Sequence, residues 1–223
     1  MGWDWGPGMS ESGNSVASRL NEMLVAAGLK ALEFERAERF TVYCDLLLRW
    51  NARMNLTAVR DEDGVLSRHF VESIACAQAL PAGIATLLDL GSGAGFPGIP
   101  IALCRPEIAV TLTESQGKKA AFLYEAVRIL GLSCKVHSGR AEMLSSRFDC
   151  VALRAVDRMR EAVQLAAALV DQNGWLAVMT TGGELEGLKA LLGAEISWRD
   201  PLPLSGSECR VLALGRSGVS FPA

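Results

Sequence analysis

From residue 85 onward, short apolar runs alternate with helical stretches, and few folds accept that order. The runs are "ATLLDL", "AVTLTE", "CKVHS", "DCVALR", "WLAVMT", "EISWR" and "CRVLAL". Between the first six lie "PGIPIALC", "QGKKAAFLYEAVRILG", "AEMLS", "MREAVQLAAALV" and "GELEGLKALLG". Strands separated by helices with short turns predict an α/β, doubly wound, mostly parallel sheet of seven strands. The last two runs are joined only by "DPLPLSGSE", too short for a crossover helix, so the final strand is expected to be antiparallel.

Upstream the period is helical. "SVASRLNEMLVAAGL" (15–29), "EFERAERFTVYCDLLLRWNARMN" (33–55) and "DEDGVLSRHFVESIACAQAL" (61–80) each place apolar residues on one face. Gly28 is a candidate stop for the first, the third carries acids in its first turn, and Pro81 and Gly83 break the pattern. This divides the chain into a tail at 1–14, a helical region at 15–82, an α/β core at 83–216 and a tail at 217–223. The first tail is expected to be disordered. It lacks the basic start and apolar run of a signal peptide. No apolar stretch approaches 18 residues without a charge, which argues against a membrane span.

The net charge of -3 resides in residues 1–45, and the remainder holds 18 basic and 18 acidic side chains. Bulk charge therefore gives no case for nucleic acid, and any such binding must come from a local patch. The six cysteines form no CxxC pair, and the two histidines lie far apart. Buried free thiols and no metal site are expected.

"LLDLGSGAGFPGIP" (87–100) follows the first strand, where α/β sheets bind ligands. A phosphate-cradling GxxxxGK[ST] loop is absent. "GAGFPG" (93–98) fits GxGxxG, and Glu114 lies at about the 20-residue distance of a ribose-binding acid. The unit Asp89-x-Gly91-x-Gly93-x-Gly95 also resembles the first motif of S-adenosylmethionine-dependent methyltransferases. Glycine there lets the backbone approach the methionine end of that cofactor, where a Cβ would clash. Glu114 would accept from ribose hydroxyls in either case. Ala141 and Glu142 in "GRAEML" follow the next strand and are candidates for the adenine.

"NLTAV", "RHFVESIA", "DLGSGAGFPGIPIAL", "ESQGKKAAFL", "GRAE" and "LRAV" together, in that order, closely resemble one family. It is the bacterial small-subunit rRNA guanine-N7 methyltransferase G family, formerly called glucose-inhibited division protein B. The resemblance runs from about residue 20 to 215. It implies a Rossmann-like class I methyltransferase fold, S-adenosyl-L-methionine as cofactor, and methyl transfer to N7 of one guanine of 16S rRNA. It implies cofactor contacts at Gly91, Phe96, Ala141, Glu142 and Arg154, beside Asp89, Gly93, Gly95 and Glu114 from the general class. A cytoplasmic monomer acting on 16S rRNA or a small-subunit precursor, with no DNA and no membrane, is the corresponding expectation. Composition and spacing alone leave open a same-fold enzyme for a small molecule, an NAD-dependent oxidoreductase and a non-catalytic RNA-binding scaffold.

Enzymes of this class that methylate exocyclic amines tend to carry an Asn/Asp-Pro-Pro-aromatic turn after the fourth strand. Here "LRAV" stands there, with Arg154 in the decisive place. Arginine stays protonated and is no base, which favours an acceptor that loses no proton. No catalytic residue is therefore assigned beyond an electrostatic role for Arg154, toward the cofactor carboxylate or an RNA group. Candidates for RNA contact are Arg60, Arg68, His69, Lys118, Lys119 and Arg158.

Overall fold

In the computed structural model, residues 15–156, 158–204 and 209–218 are described. The expected disordered tail at 1–14 and most of the tail at 217–223 lie outside these residues. Two helices open the chain, α1 (Val16–Ala26) and α2 (Phe34–Met54). Ser15 caps α1 by accepting from the Ser18 N–H, and Asn55 ends α2 in the left-handed region at φ 50°. The expected third helix is not one regular helix. It runs as α3 (Glu62–Gly64), a seven-residue π-helical segment (Val65–Val71) and α4 (Glu72–Ala79). The wider turn keeps Val65, Leu66 and Phe70 in the core and also turns His69 inward.

The α/β core follows in the expected alternation: β1 (Thr86–Leu90), α5 (Gly98–Cys104), β2 (Ala109–Glu114), α6 (Gly117–Ile129), β3 (Lys135–Ser138), a 3-10 turn (Ala141–Met143), β4 (Phe148–Arg154), α7 (Met159–Leu169), β5 (Val170–Thr181), α8 (Gly182–Leu192), β6 (Ile196–Trp198), β7 (Leu202–Pro203) and β8 (Arg210–Ser217). The sheet order is β3-β2-β1-β4-β5-β8-β6. Strands β1 to β5 pair parallel, and β8 is antiparallel to both β5 and β6. The sheet has eight strands rather than seven, because Leu202–Pro203 inside the last connection also pairs with β8.

Alternation along the strands assigns each side chain to one of two apolar layers. Leu87, Cys150, Ala152 and Ala177 face a cluster with Leu20, Phe40, Tyr43, Ile99 and Phe122. Leu88, Val151, Leu153 and Val178 face a second cluster with Val163, Ala166 and Leu188. The first cluster crosses the 82/83 boundary, so the helical region covers one face of the sheet. Cys44, Cys76 and Cys150 are buried, and burial pushes the Cys44 and Cys76 thiols up to about 12. None is a nucleophile at neutral pH. Among the described residues no helix is long and apolar enough to cross a membrane, and no metal-binding cluster is present.

Candidate functional site

The carboxyl ends of β1, β2 and β4 open onto a cleft with two lobes. One lobe, of about 570 Å³, is walled by Gly91, Gly93, Phe96, Glu114, Thr57, His69, Arg154 and Arg210, among others. The other, of about 610 Å³, is walled by Gly91, Glu114, Arg140, Ala141, Glu142, Val156 and Arg158, among others. Gly91, Glu114, Ser115 and Val156 belong to both.

The glycine turn is built by close approach. Gly91 lies at φ 72°, and a Cβ there would sit 2.5 Å from the Val156 side chain. Gly93 lies at φ 58°, and its Cβ would meet nothing nearer than 3.9 Å, so that face is open to the cleft. Its N–H donates to Glu114 Oε2 at 3.0 Å, while Glu114 Oε1 accepts from the Gln116 N–H at 2.7 Å. Glu114 is thus a buried carboxylate fixed by two backbone amides between the lobes.

Two expected cofactor residues stand elsewhere. Asp89 is fully buried, away from the cleft, and its Oδ2 accepts from the Gly98 N–H at 2.9 Å, at the start of α5. Burial pushes its carboxyl up to about 7. It fixes the turn rather than lining the site. Gly95 is likewise absent from the walls. A Cβ there would collide with Ile99 at 2.5 Å and with the Tyr43 hydroxyl at 2.7 Å, so packing under α2 dictates that glycine.

Arg154 leaves the end of β4 with little exposure. It donates to Glu72 Oε2 at 2.9 Å, to His69 Nδ1 at 3.0 Å and to the Arg68 carbonyl. Glu72 is buried on α4, and Arg210 of β8 holds its other oxygen at 2.6 Å. Burial raises the Glu72 carboxyl while the two guanidiniums pull against it. Within the chain, the carboxylate partner of Arg154 is therefore Glu72.

His69 is not a phosphate-binding cation. It is buried, stacks on Phe96 with ring centroids 4.6 Å apart, and burial together with the neighbouring Arg154 lowers it to about 3. It is neutral at physiological pH. Of the other RNA candidates, Arg68 and Lys119 line the first lobe and Arg158 the second. Arg60 and Lys118 are exposed outside both, and Arg60 donates to Asn55 Oδ1 at 2.6 Å. Thr57, Glu72, Arg210 and Glu184 belong to the site and carry no role in the sequence-based assignment. Thr57 and Glu72 fall inside "NLTAV" and "RHFVESIA", which marked them only as parts of a pattern.

A family model described as rRNA small subunit methyltransferase G matches residues 36–191. A ribosomal RNA small subunit methyltransferase G of Neisseria meningitidis serogroup A is 41% identical over 163 residues, covering 72% of this chain and 78% of that protein. Its counterpart in Stenotrophomonas maltophilia is 42% identical over 168 residues, 74% of this chain and 77% of that one. Among solved structures, P. horikoshii TYW2 in complex with MeSAdo superimposes with a TM-score of 0.53 at 13% identity, covering 65% of this chain and 60% of that chain. That likeness concerns the fold alone.

Proposed function

The chain belongs to the rRNA small subunit methyltransferase G family, and from that premise we propose how its cleft methylates N7 of a guanine in 16S rRNA with S-adenosyl-L-methionine as methyl donor. The residues present fit that cofactor. Gly93 offers a bare backbone facing open space, Glu114 is a fixed acceptor at the junction of the lobes, and Ala141 and Glu142 wall the second lobe. Gly91 and Gly93 would hold the methionine end, Glu114 the ribose, and Ala141 with Glu142 the adenine. When bound, the cofactor supplies a methyl group on a positively charged sulfur.

The observation that carries this assignment is the set of side chains around the first lobe. His69 is neutral, with one ring nitrogen engaged by Arg154 and the other by Thr57. Arg154 and Arg210 carry only N–H donors and are both engaged by Glu72. Glu114 and Glu184 are held by backbone amides and by the Thr180 hydroxyl. His69 and Glu114 thus have both of their ring nitrogens or carboxylate oxygens engaged, and Glu184 is tied through one oxygen to Thr180. Guanine N7 suits such a site, because its lone pair lies free in the ring plane and no proton has to leave. The protein's task reduces to aligning that lone pair with the methyl group.

Single-turnover methyl transfer, with saturating cofactor and small-subunit RNA, should then stay nearly flat from about pH 6 to about pH 8.5. Asp89 titrates inside this window, but it faces the Gly98 N–H and not the cleft. Its ionisation registers in stability. The folded chain keeps a proton that the unfolded chain releases near 3.8, so the contribution of that proton is lost as pH rises through about 7. The product should cleave with aniline after borohydride reduction, as a cationic N7-methylguanosine does. A rate that climbs about tenfold per pH unit, or a methylated strand resistant to cleavage, would contradict the assignment.

A further inference from the structure

The segment after α2 enters the first lobe through Thr57, which Asn51 of α2 holds in place. Asn51 is buried, its Oδ1 accepts from the Thr57 N–H at 2.9 Å, and its Nδ2 donates to the Val59 carbonyl at 2.7 Å. Thr57 is half-buried on the cavity wall. Its hydroxyl hydrogen bonds follow from groups farther inside.

Arg154 carries only N–H groups and can only donate. The 3.0 Å contact from its Nη1 therefore requires His69 Nδ1 to be an acceptor without a proton. A neutral imidazole then carries its proton on Nε2, which lies 2.8 Å from Thr57 Oγ1 and donates to it. The Val59 N–H donates to the same oxygen at 3.2 Å. Both lone pairs of the hydroxyl are thereby taken. Its own proton has no acceptor among the described residues. Burial keeps His69 near 3, so the arrangement persists across neutral pH.

The wall thus presents a hydroxyl that donates and cannot accept. Next to N7, guanine carries the O6 acceptor, whereas adenine carries the N6 amino donor. We propose, resting on methyl transfer to guanine N7 as assigned above, that Thr57 donates to O6 of the acceptor guanine and selects it against adenine. His69 is a positioning residue that fills the hydroxyl's lone pair, Arg154 fixes the His69 tautomer, and Glu72 fixes Arg154. The distinction between purines is thus set by a relay that begins at a buried carboxylate. A site built to bond a substrate oxygen discriminates strongly against an analogue lacking it, because its polar group is left unpaired.

The test uses small subunits reconstituted with 16S rRNA bearing either guanine or 2-aminopurine at the acceptor position. 2-Aminopurine keeps N7 and the 2-amino group and lacks O6. Thr57→Val should slow single-turnover methylation of guanine about tenfold and leave 2-aminopurine unaltered, collapsing the preference between them. Thr57→Ser keeps the donor and should keep the preference. A Thr57→Val chain that slows both bases equally, or neither, would overturn the role of Thr57 while leaving the family reaction intact. Failure of the unaltered chain to form N7-methylguanosine on guanine would instead overturn the reaction assignment, and this inference with it.

Discussion

Gly93 and Gly95 stand two residues apart and serve different ends. Both have positive φ, at 58° and 92°. A methyl on Gly93 points into open cleft, while one on Gly95 meets Ile99 and the Tyr43 hydroxyl at less than 3 Å. Gly95→Ala should therefore lower unfolding stability in urea by about 2–4 kcal/mol, from strain and overpacking. Gly93→Ala should cost about 1 kcal/mol of stability and at least about tenfold in affinity for S-adenosylmethionine by calorimetry. Equal stability losses would remove the distinction. The glycine spacing was legible in the sequence because a close backbone approach leaves few residue types to choose from. Which glycine faces ligand and which faces protein was not, because Tyr43 lies far upstream and only folding brings its hydroxyl to Gly95. Asp89 misled for the same reason. An acid ahead of a glycine turn looks like a ligand contact until its partner, the Gly98 N–H, is seen. Thr57, Glu72 and Arg210 gave no local signal, since their chemistry exists only when three distant segments meet.

Among the elements, the alternation of periods 2 and 3.6 made β1 to β6 and β8 readable, with α5 to α8 between them. Strand β7 was hidden because two residues, one of them proline, set up no period. The π-helical segment was hidden because Val65, Leu66, Phe70 and Val71 suit an α-helix equally well. That segment leads into α4, whose first residue, Glu72, sits between Arg154 of β4 and Arg210 of β8. Removing the central carboxylate leaves two guanidiniums facing each other with little water. Glu72→Ala should cost about 3 kcal/mol in urea unfolding. Replacing all three with Leu, Met and Met should recover most of that stability and still abolish methyl transfer. If the triple variant is no more stable than Glu72→Ala, the triad is not the source of the loss.

At the scale of the whole molecule, three layers leave one open end, where the carboxyl ends of the parallel strands converge. Lys119 lines the first lobe and Lys118 lies exposed beside it at the start of α6. With a net charge of -3, long-range attraction of RNA is weak, so phosphate contacts would fall to local cations. Lys118→Ala with Lys119→Ala should reduce the salt dependence of small-subunit RNA binding by roughly one unit of slope per lost phosphate contact. Affinity for S-adenosylmethionine should survive, and an unaltered slope would place the RNA on another face. The strand order has a consequence in time as well as in space. Strand β8 is the last of the described strands, yet it lies inside the sheet between β5 and β6, and Arg210 is the last of the first lobe's described wall residues along the chain. A ribosome making this protein therefore delivers the rest of that described wall before it delivers Arg210. Until that strand emerges, Glu72 lacks one of its two cations. The nascent enzyme cannot finish its site while the chain is still short of β8, so competence to modify ribosomal RNA waits on the synthesis of that strand.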